Sequence, residues 1–304
     1  MAVSLVPSLV PSSVPTRNPY FTSISLGAWH SCGVLSDQTG LCWGWNTYRQ
    51  LGTGSSSSYV TSPEEVLFEG GISKIDLGYY HSCLVDIVSQ VYCWGRNTFG
   101  QGGVGDGVPR PYFISVPTLV SALAGIVLLA LGGYSSCAIN EQGSLLCWGY
   151  NAYGQLGVGD TNNRSTPTLV QGLTEVTHLA LGWIHSCATN GTGLYCWGRN
   201  SKDQLGTGDN TNRQTPVLVQ GITTVKKLAL GGYHSCAINA EDTLLCWGYN
   251  QFGQLGVGGT SNRNTPTEVA ISGVKELAAM AAALERSAFF ARHCLLRTTL
   301  LVVY

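Results

Sequence analysis

The segment His185-Ser-Cys-Ala-Thr-Asn-Gly-Thr-Gly-Leu-Tyr-Cys-Trp-Gly198 reads as a β-hairpin. A two-residue loop at Gly191-Thr192 fits the turn-rich centre, with glycine supplying the positive φ of a tight hairpin turn. That loop sets Asn190 opposite Gly193 and Thr189 opposite Leu194, so Cys187 faces Cys196. Directly opposed antiparallel residues lie about 4.5–5.5 Å apart at Cα, within the range a disulfide accepts.

The triplet Cys-Trp-Gly returns at Cys42, Cys93, Cys147, Cys196 and Cys246, spaced by 49 to 54 residues. Such a fixed period marks a repeat architecture. Each copy reads as four short strands: an apolar run ending in Leu-Gly, a second strand from His-Ser-Cys, a third through Cys-Trp-Gly and a fourth after Thr-Pro. In the third copy a three-residue loop, Glu141 to Gly143, absorbs one extra residue and keeps the cysteines opposed. Four-stranded units cannot bury both faces alone, and radial arrangement about an axis solves this while leaving few open edges. The expectation is an all-β propeller with five recognisable blades, near residues 22–70, 71–122, 123–173, 174–222 and 223–272, after a Pro/Ser-rich segment 1–21. Val274-Lys-Glu-Leu-Ala-Ala279 matches the opening of a sixth copy, after which the motif stops, so the ring is expected to be incomplete. The divergent tail from Met280 to Tyr304 reads either as a helix covering a blade edge or as an end without selected structure.

Composition agrees with many tight turns and a large core: 304 residues, 44% hydrophobic, 39 Gly, 8 Trp and 14 Tyr, with only 11% charged. A net charge of −1 supplies no general field for nucleic acid or anionic membrane. No apolar run reaches the roughly 18 residues of a membrane span. The N-terminus, Met1-Ala-Val-Ser-Leu-Val-Pro7, lacks the basic start of a secretory signal.

Ten of the 11 cysteines fall into one pair per blade: Cys32 with Cys42, Cys83 with Cys93, Cys137 with Cys147, Cys187 with Cys196, and Cys236 with Cys246. Five intrablade disulfides belong to an oxidising compartment, and an extracellular or surface location is expected, with a cytoplasmic one as the alternative. A true start upstream of Met1 would reconcile this with the missing signal. Metal binding by His185, Cys187 and Cys196 is the competing reading, weakened because closed zinc sites want four ligands and Ser135 replaces the histidine in the third copy. No Cys-x-x-Cys suggests thiol redox chemistry, and Cys294 is left over. Asn163-Arg-Ser and Asn190-Gly-Thr match the glycosylation sequon at about chance frequency.

Gly-Gln-Leu-Gly after an Asn-x-aromatic string, together with His-Ser and Trp-Gly, resembles the regulator-of-chromosome-condensation repeat family over about residues 22–272. The resemblance implies a propeller, typically of seven blades, from which this sequence departs in blade number. It also implies guanine-nucleotide exchange on a small GTPase as one function. The acidic and loop constellation for that activity has no match here, and five disulfides suit no cytosolic exchange factor. Secreted propellers similar to β-lactamase inhibitors offer another reading. Similarity to the plant ultraviolet-B photoreceptor would need clustered Trp beside Arg at the turn before His-Ser, and neither Trp29 nor Trp183 has an adjacent Arg.

Positions shared by every copy are those the blade requires, while exposed positions that vary are free to bind. The repeated tryptophans (Trp43, Trp94, Trp148, Trp197, Trp247) and the histidines His30, His81, His185 and His234 are therefore read as frame. Gly157-Val-Gly-Asp160 and Gly206-Thr-Gly-Asp209 lack the Lys-Ser/Thr of a phosphate loop, and Arg164, Arg213 and Arg263 read as loop braces. The variable turn between Leu-Gly and His-Ser carries Trp29, Tyr79, Tyr80, Tyr134, Trp183 and Tyr233. These six are expected to form an aromatic rim on one face, contacting a protein partner or packing beneath neighbouring loops. Neither catalytic group nor cofactor is expected, and the leading reading is a non-enzymatic binding scaffold.

Overall fold

The computed structural model describes residues 18–105, 112–271, 277–279 and 301–303. They form five four-stranded antiparallel sheets, each a meander in chain order. The first blade runs Phe21–Leu26, His30–Leu35, Gly40–Trp45 and Tyr59–Glu65, and the others repeat it. First strands of successive blades touch one another, which places them around the axis and the fourth strands at the periphery. No ladder joins the fifth blade to the first among the described residues. Beyond the fifth blade, Leu277–Ala279 lies beside Val225–Leu230 and pairs in parallel with Leu301–Val303. Cys294 and the helical reading of the tail fall outside the described residues.

The hairpin register follows the loop lengths. Cys187 lies opposite Cys196, Thr189 opposite Leu194 and Asn190 opposite Gly193. In the third blade Cys137 lies opposite Cys147. Each of the five pairs is bonded, with Cα atoms 4.1–4.2 Å apart, the close spacing of a non-hydrogen-bonded antiparallel pair.

The fourth strand departs from expectation. It begins at the arginine before Thr-Pro, as in Arg164–Leu169 and Arg213–Leu218, so the proline sits inside the strand. The register shifts there, between the pairs Cys147–Thr168 and Gly149–Arg164. Proline has no N–H to give a ladder, and an outermost strand with a bulge has a free side that asks for none.

The core lies between blades, not within them. The disulfides of the first four blades each pack in one apolar cluster with the tryptophan of the following blade: Cys32 and Cys42 with Trp94, Cys83 and Cys93 with Trp148, Cys137 and Cys147 with Trp197, Cys187 and Cys196 with Trp247. Those tryptophans are fully buried, and their indole nitrogens reach back across the interface. Trp94 Nε1 donates to the Gln50 carbonyl at 2.8 Å, and Trp148, Trp197 and Trp247 donate likewise to Gln101, Gln155 and Gln204. The same carbonyls accept from Ser82, Ser136, Ser186 and Ser235.

A histidine completes three of these junctions. His30, His81 and His185 sit 2.9 Å through Nε2 from Ser82, Ser136 and Ser235 of the following blade. Because each serine donates its only proton to the carbonyl, it accepts from the imidazole, which fixes a proton on Nε2. Burial pushes the pKa of all three down to about 3. The Leu-Gly glycine is needed beneath the ring: a Cβ on Gly78 would lie 2.4 Å from His81 Cε1. Where Ser135 replaces histidine, Ser186 keeps its carbonyl bond alone. His185 Nε2 is held by Ser235, and the two neighbouring sulfurs are joined to each other.

Two outcomes follow. A histidine neutral in the fold and protonated in the unfolded chain below about pH 6.5 contributes stability present above that pH and lost as pH falls toward about 3. The unfolding free energy from denaturant titration should therefore decline steadily between pH 7 and pH 4, with a shallower slope in His81→Ser; an unchanged slope would contradict the buried neutral ring. Cys137→Ser/Cys147→Ser should lower stability by about 2–3 kcal/mol, the chain-entropy value for so short a loop, read from urea titration as a lower unfolding free energy and midpoint.

Candidate interaction face

The turn between the first and second strands and the exit of the third strand lie at the same end of every blade. A backbone bond ties them: Trp45, Arg96, Tyr150, Arg199 and Tyr249 each donate their N–H to the carbonyl of Trp29, Tyr80, Tyr134, Ile184 and Tyr233, at 2.8–3.0 Å. The Cys-Trp-Gly glycine makes this approach possible. At Gly149 φ is +102°, and a Cβ would stand 2.5 Å from the Tyr134 carbonyl oxygen. The sequence therefore sets two variable side chains per blade next to each other on one face.

A third joins them from the Asn-x-aromatic string, whose polar residues are buried braces. Asn151 Oδ1 accepts from Leu156 N, and Gln155 Oε1 accepts from Tyr153 N. Equivalent bonds hold the loops of Tyr48, Phe99, Lys202 and Phe252. On the periphery Arg164 and Arg213 pair with Asp160 and Asp209 at 2.6 and 2.5 Å, so the Gly-x-Gly-Asp strings serve as loop braces.

Of the six turn aromatics, Trp29 is 54% exposed, Tyr80, Tyr134, Trp183 and Tyr233 are half-buried, and Tyr79 is buried. All six belong to one connected set of rings. Trp29 meets Trp45, Trp45 meets Tyr80, and Tyr80 meets Tyr134, with centroids 5.4–6.4 Å apart. Tyr79 of the second blade stacks on Trp183 of the fourth at 6.0 Å and 14°, passing over the turn of the third, where Gly133 leaves room for the indole. From Trp183 the series continues through Tyr233 and Tyr249 to Phe252, which is 64% exposed. These edge and offset contacts are the geometries that aromatic quadrupoles favour.

Arg96, Arg199 and Lys202 lie over the turn and loop aromatics of this face, and Arg49 lies 5.7 Å from the Phe113 ring. The Arg96 guanidinium is within 6 Å of five ring centroids, closest to Tyr48 at 4.9 Å. Arg199 lies 4.9 Å from the Tyr153 ring, and Lys202 Nζ 5.3 Å from that of Tyr249. Burial raises the Tyr48, Tyr80 and Tyr150 hydroxyl pKa values above the ordinary phenol, so these groups stay protonated. The sequence reading missed the residue after Cys-Trp-Gly and the third position of Asn-x-aromatic. Both vary from copy to copy, as Trp45, Arg96, Tyr150, Arg199 and Tyr249 show, and that variation was the available signal.

The family model for the regulator of chromosome condensation (RCC1) repeat matches residues 41–85, 89–139, 142–189, 193–238 and 241–284. The ultraviolet-B receptor UVR8 of Arabidopsis thaliana is 36% identical over 148 residues, which cover 47% of this chain and 32% of the receptor. The chain thus matches about a third of that relative. Human WBSCR16 superposes with a TM-score of 0.74 at 26% identity, covering 87% of this chain and 70% of its own. Yeast RCC1 (Prp20), solved bound to Kap60, superposes with a TM-score of 0.74 at 21% identity over 85% of this chain and 66% of its own, a likeness of fold alone.

Replacing Gly149 with Ala should cost at least about 1 kcal/mol, since alanine is strained at positive φ. It should also displace Tyr134 and Tyr150, seen as altered near-ultraviolet circular dichroism. An unperturbed spectrum and stability would show that the close approach of turn and strand is dispensable.

Proposed function

This chain belongs to the regulator of chromosome condensation (RCC1) repeat family, and on that premise we propose that it is a non-enzymatic scaffold that holds a protein partner against its aromatic face. The observation supporting this is the unbroken series of rings from Trp29 to Phe252, drawn from all five blades. A core would bury such rings fully, whereas here most stay half-exposed. Tyr and Trp supply large contact areas with few rotatable bonds, which makes them frequent anchors of interfaces. Yeast RCC1 (Prp20), a protein of similar fold, has been solved with Kap60 bound to it.

Five disulfides favour a working place in an oxidising compartment, extracellular or at a surface. The alternatives are nucleotide exchange on a small GTPase in the cytoplasm, and inhibition of a secreted enzyme through the same face.

Trp29→Ala/Tyr80→Ala/Tyr233→Ala is the direct test. Affinity-purified partners of the wild-type chain should be retained at least tenfold less by the triple variant, with circular dichroism and melting temperature close to wild type; equal retention moves the site off this face. Acceleration of nucleotide release from a panel of small GTPases would favour the exchange reading instead, as would free thiols throughout in non-reducing mass spectrometry of the native protein.

A further inference from the structure

We propose that the partner segment held on the aromatic face is acidic, with carboxylates seated on Arg96 and Arg199 and an apolar side chain between them over Tyr134 and Tyr150. The proposal rests on the reading of this face as an interaction surface and adds the chemistry of its occupant.

Two observations carry it. The first is charge without compensation. Among the described residues, Arg96, Arg199 and Lys202 have no carboxylate at ion-pair distance, whereas Lys74, Arg164, Arg213 and Lys226 elsewhere on the molecule each have one; Arg49 and Arg263 also lack one, but their terminal nitrogens donate to backbone carbonyls. Rings surround the two guanidiniums in place of acids, and a ring face attracts a cation without neutralising it. The Tyr80 and Tyr150 phenols among them add no negative charge, because burial raises their pKa values.

The second is the geometry of the donors. Arg96 Nε is bonded to Thr98 Oγ1 at 3.0 Å and Arg199 Nε to Ser201 Oγ at 2.8 Å. These bonds, with the ring contacts, hold each guanidinium plane in place and leave its two terminal nitrogens without a hydrogen bond to the described residues. A pair of parallel N–H groups on a fixed plane matches the two oxygens of a carboxylate. Apolar walls reduce the local dielectric, which strengthens the attraction over its value in open water.

The repeat sets the spacing. Arg96 and Arg199 occupy the same position in the second and fourth blades, and Tyr150 occupies it in the third. A chain crossing the face therefore meets cation, ring, cation. Cations and rings together also suit single-stranded nucleic acid, but three cations on a chain of net charge −1 make no continuous track for a phosphate backbone.

The test is selection of a displayed random dodecapeptide library on the folded full chain, with synthetic forms of the selected peptides measured by calorimetry. Asp and Glu should be enriched on both sides of an apolar residue. Affinity should fall about tenfold or more in Arg96→Gln/Arg199→Gln, and should weaken between 50 and 500 mM salt. Arg96→Lys, which keeps charge but not the planar fork, should lose less; melting curves of each variant check that the blades are intact. Selected peptides that are neutral or basic, yet lost in Trp29→Ala/Tyr80→Ala/Tyr233→Ala, would overturn the acidic assignment and leave the interaction face standing. Peptides insensitive to both sets of substitutions, or no selected binders at all, would overturn both. Tighter binding of a twenty-nucleotide poly-dT than of any selected peptide would overturn the protein partner in favour of nucleic acid.

Discussion

One carbonyl oxygen per blade junction carries the assembly. The carbonyls of Gln50, Gln101, Gln155 and Gln204 each accept two bonds from the next blade, one from a serine hydroxyl and one from an indole nitrogen. Buried polar groups are costly unless paired, so a blade that shifted relative to its neighbour would strand a serine, an indole and a carbonyl at once. Apolar contact between sheets is tolerant of sliding, but this junction is not. It explains why Gln, Leu and Gly recur together: the glutamine offers its carbonyl, the leucine is buried, and the glycine leaves space for the incoming indole, as Gly103 does for Trp148.

The junction has a direction, which the outer blades reveal. Trp43 of the first blade makes no such bond among the described residues, and it is half-buried beside Phe21 rather than fully enclosed. In the fifth blade His234 is buried with its Nε2 unbonded among the described residues. The repeats are thus alike in sequence but unequal in environment.

With the frame secured inside each hairpin by a disulfide and between blades by the glutamine carbonyls, the end of each blade that bears the turn is released from structural duty. That end tolerates Trp, Tyr, Ile or Arg at equivalent positions, and the side chains found there form a surface of rings and cations. Stability and binding are separated by position within one repeat, so the face can vary while the junctions stay constant.

The sequence by itself determined the blade. Loop lengths of two and three residues, with strict alternation of faces along a strand, leave Cys187 opposite Cys196 and Cys137 opposite Cys147, since hairpin pairing is local and its register is countable. It also marked Trp29, Tyr79, Tyr80, Tyr134, Trp183 and Tyr233 as turn residues free to serve binding, of which the fold buries Tyr79. Tertiary structure alone decided the rest. The proline inside the outer strand was tolerable only because that strand is an edge. Ser82 and Gln50 are 32 residues apart, and their bond exists only once two blades meet. Arg96, which looks in sequence like an ordinary surface cation, acquires five aromatic neighbours from three blades. Contacts of that kind depend on how sheets pack about an axis, and no local pattern of residues encodes that angle.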